Sequence, residues 1–422
     1  MKQIVILYSR FDETLDYAVE EFTKYTERMS GYTMTVTGRH VPILPRENEE
    51  GVIRFGLLSD LGLDDSCVED PVLDDVIDID ITGNTGYIAG SNIRSILLGV
   101  YRWFRSAGAR WVRPGDDGEV IPVCDLSAHA LRYRHAASCR FRGECIEGAV
   151  SLENVLDTIV WSPKVGFNMF FIQQIVPFNM MSRWYFRRYN TRLPADPRTF
   201  EEIEEYTVVM EKQIKKCGLQ LHSMGHGYLY EPYGIHYHTS SDHYEMNDAA
   251  RAATALVNGK REFRGGCPNW TQLCYSNPQV RQDMVSFCLS YMEKKPYIDF
   301  LHLWLGDANK NHCECEECRR RIPSDFYVMF LNELWEEMKK RGITTRVVFI
   351  LYNDTVFPPE TVRLAKDCGF VLMTAFSRDY SKPYTLKPYE GKLPEYERNV
   401  PNVPSDFRVQ DAFCRAWREQ YH

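Results

Sequence analysis

From about residue 130 onward, short apolar runs alternate with long amphipathic stretches, and this constrains the fold more than any other feature of the chain. The apolar runs are residues 133–139, 168–175, 219–224, 272–275, 300–305, 346–351 and 370–374. Strands separated so regularly by helices predict a parallel sheet, most simply a (β/α)8 TIM barrel. Seven strands are readable and the eighth is missing, so either an early strand is misread or the barrel is incomplete at the C-terminus, with Tyr421-His422 inside a seventh helix. Helix signals agree. Thr199 and Glu202 form a capping box before a helix to Cys217, with Ile203, Tyr206, Met210 and Ile214 facing inward. Asn277-Pro278 supplies a cap and a first-turn proline for a helix to Tyr291. Ser324 is expected to cap a helix to Lys340, which Gly342 ends.

Residues 1–125 read as a separate small α/β domain, and residues 130–422 as the barrel-like catalytic domain. At ~150 residues per domain, a chain of 422 residues has room for two or three. A strand at 3–7 leads to a helix at 12–29 that places Leu15, Ala18, Val19, Phe22 and Tyr25 on one face. Apolar runs at 52–58 and 76–81, the Gly83-Asn84 turn and a return strand at 87–89 follow. A second helix, 93–106, turns Ile96, Leu97, Val100, Tyr101 and Phe104 inward.

Fifty Lys and Arg against 58 Asp and Glu give a net charge of −8, which argues against a nucleic-acid or anionic-membrane partner. No run of about 18 apolar residues predicts a transmembrane helix. The apolar run before Tyr8 is too short for a signal peptide and reads as the first strand. Thirteen cysteines, an odd number, are scattered from Cys67 to Cys414, mostly in apolar surroundings such as those of Cys139, Cys288 and Cys368. That usage suits buried thiols in a reducing compartment, so the expected location is cytoplasmic.

A parallel barrel carries its active site at the C-terminal ends of its strands. The polar residues just past each run are therefore the candidates: Gln173-Gln174, His222 to Tyr228, Trp304 to Asn309, Tyr352-Asn353-Asp354 and Ser377-Arg378-Asp379. Carboxylates, amides, histidines and aromatics on one rim suit a carbohydrate. Asp307, Asp354 and Asp379 are the catalytic candidates, because two carboxylates supply the acid and the base or nucleophile of glycosidic cleavage. Gln173, His222, His226, Trp304, Tyr352, Asn353 and Arg378 are the substrate-binding candidates. His222 lies on a strand and reads equally well as a hydrogen-bonded core histidine. Asp354 and Asp379 read also as turn residues. Arg134, Arg140 and Arg142 could grip a uronic carboxylate through bidentate contacts, although ion-paired surface residues are the favoured reading.

The sharpest local motif is His312-Cys313-Glu314-Cys315-Glu316-Glu317-Cys318. Cys313, Cys315, Cys318 and His312 could supply three or four zinc ligands, although the second Cys-x-x-Cys pair of common structural sites is absent. A thiol-rich or redox-sensitive loop is the alternative. Carboxylate chemistry requires no cofactor. A closed zinc site here would be structural and would pin the loop carrying Asp307, whereas a catalytic one needs an open position.

The stretch from Asp78-Ile79-Asp80-Ile81 through Gly90-Ser91-Asn92-Ile93-Arg94 to Leu98-Gly99-Val100-Tyr101 and Gly108-Ala109-Arg110-Trp111 resembles the domain that precedes the barrel in α-glucuronidases and β-N-acetylhexosaminidases. The remainder resembles an uncharacterised bacterial barrel family often found behind that domain. Its marks are His222-Ser223-Met224-Gly225-His226, Asn258-Gly259-Lys260-Arg261 and Leu273-Cys274-Tyr275-Ser276-Asn277-Pro278. Gly306-Asp307 then precedes the cysteine motif and Ser324-Asp325-x-Tyr327-x-x-Phe330-x-Asn332. The resemblance implies a glycoside-hydrolase-like protein. Hexosaminidases carry H-x-G-G-D-E; here Asp307 matches the aspartate and Ala308 stands where the acid would be.

Three functions follow as expectations. The first is a glycosidase acting on a uronic or N-acetylated sugar. The second is a carbohydrate-binding protein on a barrel scaffold without turnover, which Ala308 favours. The third is a metal-dependent enzyme using the cysteine cluster and His312.

Overall fold

A computed structural model describes residues 2–188, 190–375, 381, 385, 387–400 and 405–420. The chain forms two compact units, Met1–Phe171 with Met180–Leu221, and Ile172–Asn179 with His222–His422.

The first unit begins with β1 (Lys2–Tyr8), α1 (Glu13–Met29) and β2 (Met34–His40). Next come β3 (Val52–Leu57), β4 (Val76–Thr82), β5 (Thr85–Gly90) and α2 (Ile93–Ser106). A small antiparallel pair, β6 (Arg110–Trp111) and β7 (Glu119–Val120), leads to β8 (Ala130–Ala136). The main sheet has the order β2-β1-β3-β5-β4-β8. Asp12 caps α1 by accepting from the N–H groups of Thr14 and Leu15, and Asn92 caps α2 by accepting from Ser95 N–H. Helix α2 lies close on the sheet because residue 99 has no side chain: a Cβ there would come within 2.5 Å of Ile88 Cγ2.

Two strands differ from the sequence reading. β2 has no counterpart in it, because only Met34 of its seven residues is buried and an edge strand of Thr, Gly, Arg and His carries little apolar signal. The run at 133–139, expected to open the barrel, overlaps β8, which pairs antiparallel with β4 at the edge of the first sheet.

The second sheet is all parallel. Its strands are β9 (Gly143–Cys145), β10 (Met169–Gln173), β11 (Gln220–Gly225), β12 (Phe300–Leu303), β13 (Arg346–Leu351) and β14 (Val371–Thr374). They stand in sequence order, β9 to β14, as a half-barrel. Six strands are present among the described residues, where a closed (β/α)8 barrel takes eight. β11 and β12 are buried at every residue, as strands covered on both faces should be. The run at 272–275 is not a strand; it contributes an isolated bridge, Leu273 to Thr254.

Between the strands lie α3 (Leu152–Lys164), α4 (Phe178–Tyr185), α5 (Phe200–Lys216), α6 (Asp248–Ala253), α7 (Pro278–Lys294), α8 (Glu316–Arg319) and α9 (Pro323–Arg341), with α10 (Phe407–Arg418) after β14. The Thr199–Glu202 capping box is present, and Asn277 caps α7 with Pro278 in its first turn. α9 begins two residues earlier than a Ser324 cap implies, with Ile322 at the N-cap. Ser324 lies inside it, its hydroxyl bonded to the Phe357 carbonyl at 2.5 Å, and Gly342 ends the helix at φ 66°.

Among the described residues no helix is long and apolar enough to cross a membrane. All thirteen cysteines are free thiols; Cys288 and Cys368 are buried and Cys139 is exposed.

Candidate functional site

Three of the six non-glycine residues at positive φ among the described residues of the second unit stand at the C-terminal ends of the parallel strands. Gln174, one residue past β10, has φ 71°; Met224, near the end of β11, has φ 79°; Asn353, just past β13, has φ 52°. Left-handed backbone is costly for residues with a Cβ, and such residues cluster at functional sites. Gln174 N–H donates to the Met224 carbonyl, so two of these turns hold each other.

The side chains that these ends present meet around Asp307. Its carboxylate is 37% exposed, and its Oδ1 accepts from Tyr352 OH at 3.3 Å. His226 Nε2 lies 3.7 Å from the same oxygen. His226 Nδ1 is 2.7 Å from the Leu305 carbonyl, an acceptor only, so Nδ1 carries the hydrogen. The nitrogen facing Asp307 is therefore Nε2, the ring's basic nitrogen in this tautomer. Trp304 packs edge-on against the His226 ring at 4.9 Å and fixes its plane.

The loop before Asp307 is held by Gln272. Its Oε1 accepts from Gly306 N–H at 3.1 Å, and its Nε2 donates to the Gly306 carbonyl at 3.0 Å. Tyr275 OH donates to the same Oε1 at 2.7 Å. Asp307 N–H donates to the Asn269 carbonyl at 2.8 Å.

Two amides stand beside this group. Gln174 Oε1 and Asn269 Oδ1 are buried without a hydrogen-bond partner among the described residues. A Cβ on Gly227 would sit 3.8 Å from both side chains and 3.5 Å from Tyr237. Buried acceptors left unpaired are rare; two of them beside one glycine suit a ligand rich in donors. The strand-end rule pointed to Gln174 through its neighbour Gln173. Asn269 lies in the 3-10 turn Pro268–Trp270 and Tyr237 in a loop, with no sequence pattern that marks either.

The other candidates fall elsewhere. Asp354 is 1% exposed and is bonded by Tyr396 OH at 3.2 Å and Lys310 N–H at 3.3 Å, so it ties the loop after β13 to the segments after β12 and β14. Asn353 supplies the turn itself, and Gln173 is a buried residue ending β10. His222 is buried in β11 with Nδ1 2.8 Å from Nε2 of His302, and its ring stacks on Phe300 at 4.4 Å. Burial pushes His222 well below the usual histidine range, with His302 adding to it, and burial takes His302 down to about 3. Both rings are neutral at pH 7. Arg378 and Asp379 lie outside the described residues.

In the first unit, Arg134 is paired with Asp78 at 2.6 Å, Arg140 with Asp74 at 2.6 Å and Arg142 with Asp75 at 2.6 Å. Ion pairing is thus their role in this structure, as the favoured reading had it.

The cysteine motif gains a member. Cys274, Cys313, Cys315 and Cys318 present sulfurs that all lie within 4.8 Å of one another. His312, expected as the fourth member, is outside this group: its Nε2 lies 3.9 Å from Asp354 Oδ2.

Residues 182–399, more than half of the chain, match the family described as "Domain of unknown function (DUF4838)". The chain belongs to the DUF4838 family. No curated protein sequence matches it. Among solved structures it is similar to a family 89 glycoside hydrolase from Clostridium perfringens in complex with PUGNAc. The TM-score is 0.46 at 11% identity, over 80% of this chain and 37% of that one. It is also similar to a GH138 enzyme targeting pectin rhamnogalacturonan II, with a TM-score of 0.44 at 14% identity, over 83% and 35%. A mutant O-GlcNAc hydrolase of Thermobaculum terrenum gives a TM-score of 0.28 at 11% identity, over 54% and 37%. The chain spans little more than a third of the length of each of these structures.

Proposed function

We propose that this DUF4838 chain is a carbohydrate-active protein of glycoside-hydrolase type, with Asp307 as its central carboxyl group and a uronic or N-acetylated sugar as its substrate. The observation that carries this reading is the half-exposed Asp307 at a strand end, bonded by Tyr352 and faced by His226 Nε2. Asp307 and His226 together hold and move a proton at a glycosidic oxygen. Leu305 and Trp304 keep the imidazole in one tautomer and one plane. Gln174 and Asn269 accept hydrogen bonds from sugar hydroxyls or an acetamido N–H.

Binding without turnover is the second reading, and one observation favours it. Asp354, the carboxylate expected opposite Asp307, is buried and bonded by Tyr396 OH and Lys310 N–H from two other segments. Cleavage by two carboxylates places them ~5–5.5 Å apart for retention or ~6.5–9.5 Å for inversion, both open to the sugar.

The test is product release from aryl glycosides and oligosaccharides, including α-glucuronides and N-acetylhexosaminides, by wild type and Asp307→Asn. Cleavage that drops at least about a hundredfold in a folded variant supports the assignment. Cleavage unchanged in Asp307→Asn removes Asp307 from the chemistry. Saturable sugar binding with no product from any substrate moves the chain to the second reading.

A further inference from the structure

We infer that Cys274, Cys313, Cys315 and Cys318 form a closed tetrathiolate site for one zinc ion, which staples the loop carrying Asp307. Cys274 Sγ lies 3.5 Å from Cys313, 3.7 Å from Cys315 and 3.9 Å from Cys318. A tetrahedral ion with Zn–S bonds of about 2.3 Å separates its sulfurs by about 3.8 Å. A disulfide needs about 2.05 Å, so these are not bonded pairs. The three sulfur–sulfur edges at Cys274 match those of a zinc tetrahedron, and the remaining edges are no longer than 4.8 Å.

The surroundings suit thiolates. Leu256 N–H donates to Cys313 Sγ at 3.2 Å, and Ser276 OH lies 3.0 Å from Cys318 Sγ. Zinc with four thiolates carries a net charge of −2. The Arg398 guanidinium lies against this knuckle, donating to the Cys313 carbonyl at 3.1 Å and the Cys318 carbonyl at 2.5 Å. Asn399 clamps the same turn through the His312 carbonyl at 3.0 Å and Glu314 Oε1 at 2.7 Å. Binding replaces up to four thiol protons, which pass to solvent, and changes no oxidation state.

All four positions are filled by sulfur, so the ion has no open position and its role is structural. It ties Cys274 to the 313–318 turn. Gln272, two residues before Cys274, holds Gly306 by two hydrogen bonds, and Asp307 follows. The metal therefore fixes both ends of the segment that presents Asp307. Its detection is independent of any glycosidase activity.

The experiment is elemental analysis of the protein purified under reducing conditions, with alkylation mass spectrometry before and after chelation. One zinc per chain is expected. Cys274, Cys313, Cys315 and Cys318 should resist alkylation until the chelator is added, and chelation should lower the thermal midpoint. Cobalt exchange should give the strong visible absorption of tetrahedral thiolate cobalt. His312→Ala should keep the ion, whereas Cys274→Ser should lose it. Metal-free protein, iron in place of zinc, or loss of zinc on His312→Ala would each overturn the assignment. The alkylation pattern decides the matter in wild type even where Cys274→Ser does not fold.

Discussion

At the scale of single residues, Asp307 stands past the C-terminal end of β12, where parallel strands present their polar groups, and accepts a hydrogen bond from Tyr352. His226 stands just past the C-terminal end of β11. What the sequence could not show is the partner that fixes each group: a Leu305 carbonyl for His226, a tyrosine 45 residues downstream for Asp307. Cys274 was missed in the same way. It stands 39 residues before Cys313, where no spacing rule links it to the motif, and only the fold brings the sulfurs together. The two unpaired amides make a direct prediction. Gln174→Leu and Asn269→Leu each remove one acceptor while keeping an apolar side chain of similar size. Each should weaken sugar binding about tenfold, the equivalent of ~1.4 kcal/mol, as read by calorimetric titration. Binding unchanged in both variants would mean that these acceptors do not face the ligand.

At the scale of elements, helices were read best and strands less well, for a physical reason. A helix announces itself by caps and a repeating apolar face, as Thr199 with Glu202 and Asn277 with Pro278 do. A short buried strand offers only an apolar run, and the run at 272–275 shows that a buried loop offers the same. The motif Ser324-Asp325-x-Tyr327-x-x-Phe330-x-Asn332 is explained by α9 as a scaffold. Tyr327 OH donates to the Leu303 carbonyl of β12 and accepts from Ile350 N–H of β13 at 3.2 Å. Asn332 holds Arg363 and Ala365. Asp325, fully buried, accepts on Oδ1 from the N–H groups of Glu360, Thr361 and Val362 at 3.0, 2.7 and 3.1 Å. Asp325→Ala leaves three backbone donors without an acceptor, at about 1–3 kcal/mol each. Urea unfolding should show a loss of at least about 3 kcal/mol, with a smaller loss for Asp325→Asn, which keeps one acceptor oxygen. A loss below about 1 kcal/mol for Asp325→Ala would show that water replaces the carboxylate, and α9 would not be the loop's anchor.

At the scale of the whole molecule, buried titratable groups set how stability responds to acid, and they act in two windows. His222 and His302 are held neutral by burial, His302 down to about 3. In the unfolded chain both take a proton near pH 6.5. Below that pH the unfolded state binds protons that the native pair refuses, so stability falls as pH falls, by up to about 1.4 kcal/mol per pH unit for each ring. Burial likewise shifts His129 downward and takes His312 to about 4, in the same direction. The carboxylates act lower. Burial opposes ionisation of Glu119, but Tyr25, Arg28 and Lys164 outweigh it and hold the carboxyl at about 2. Asp75, whose burial is outweighed by Arg94 and Arg142, is also held below its ordinary value. Their contribution is complete above the ordinary carboxylate range and is lost as pH falls through it towards about 2. The interval from pH 6.5 to 5 is where these histidines act, while Glu144 and Glu231, raised by burial, run the other way there in both proteins. The double variant His222→Leu/His302→Leu should show a shallower fall of unfolding free energy across that interval than wild type, with the fall below pH 4.5 retained. The slope matters here and the absolute stability does not, so a variant less stable at every pH still gives the answer. Equal slopes from pH 6.5 to 5 in both proteins would mean that the pair takes up its protons in the native state as readily as in the unfolded one.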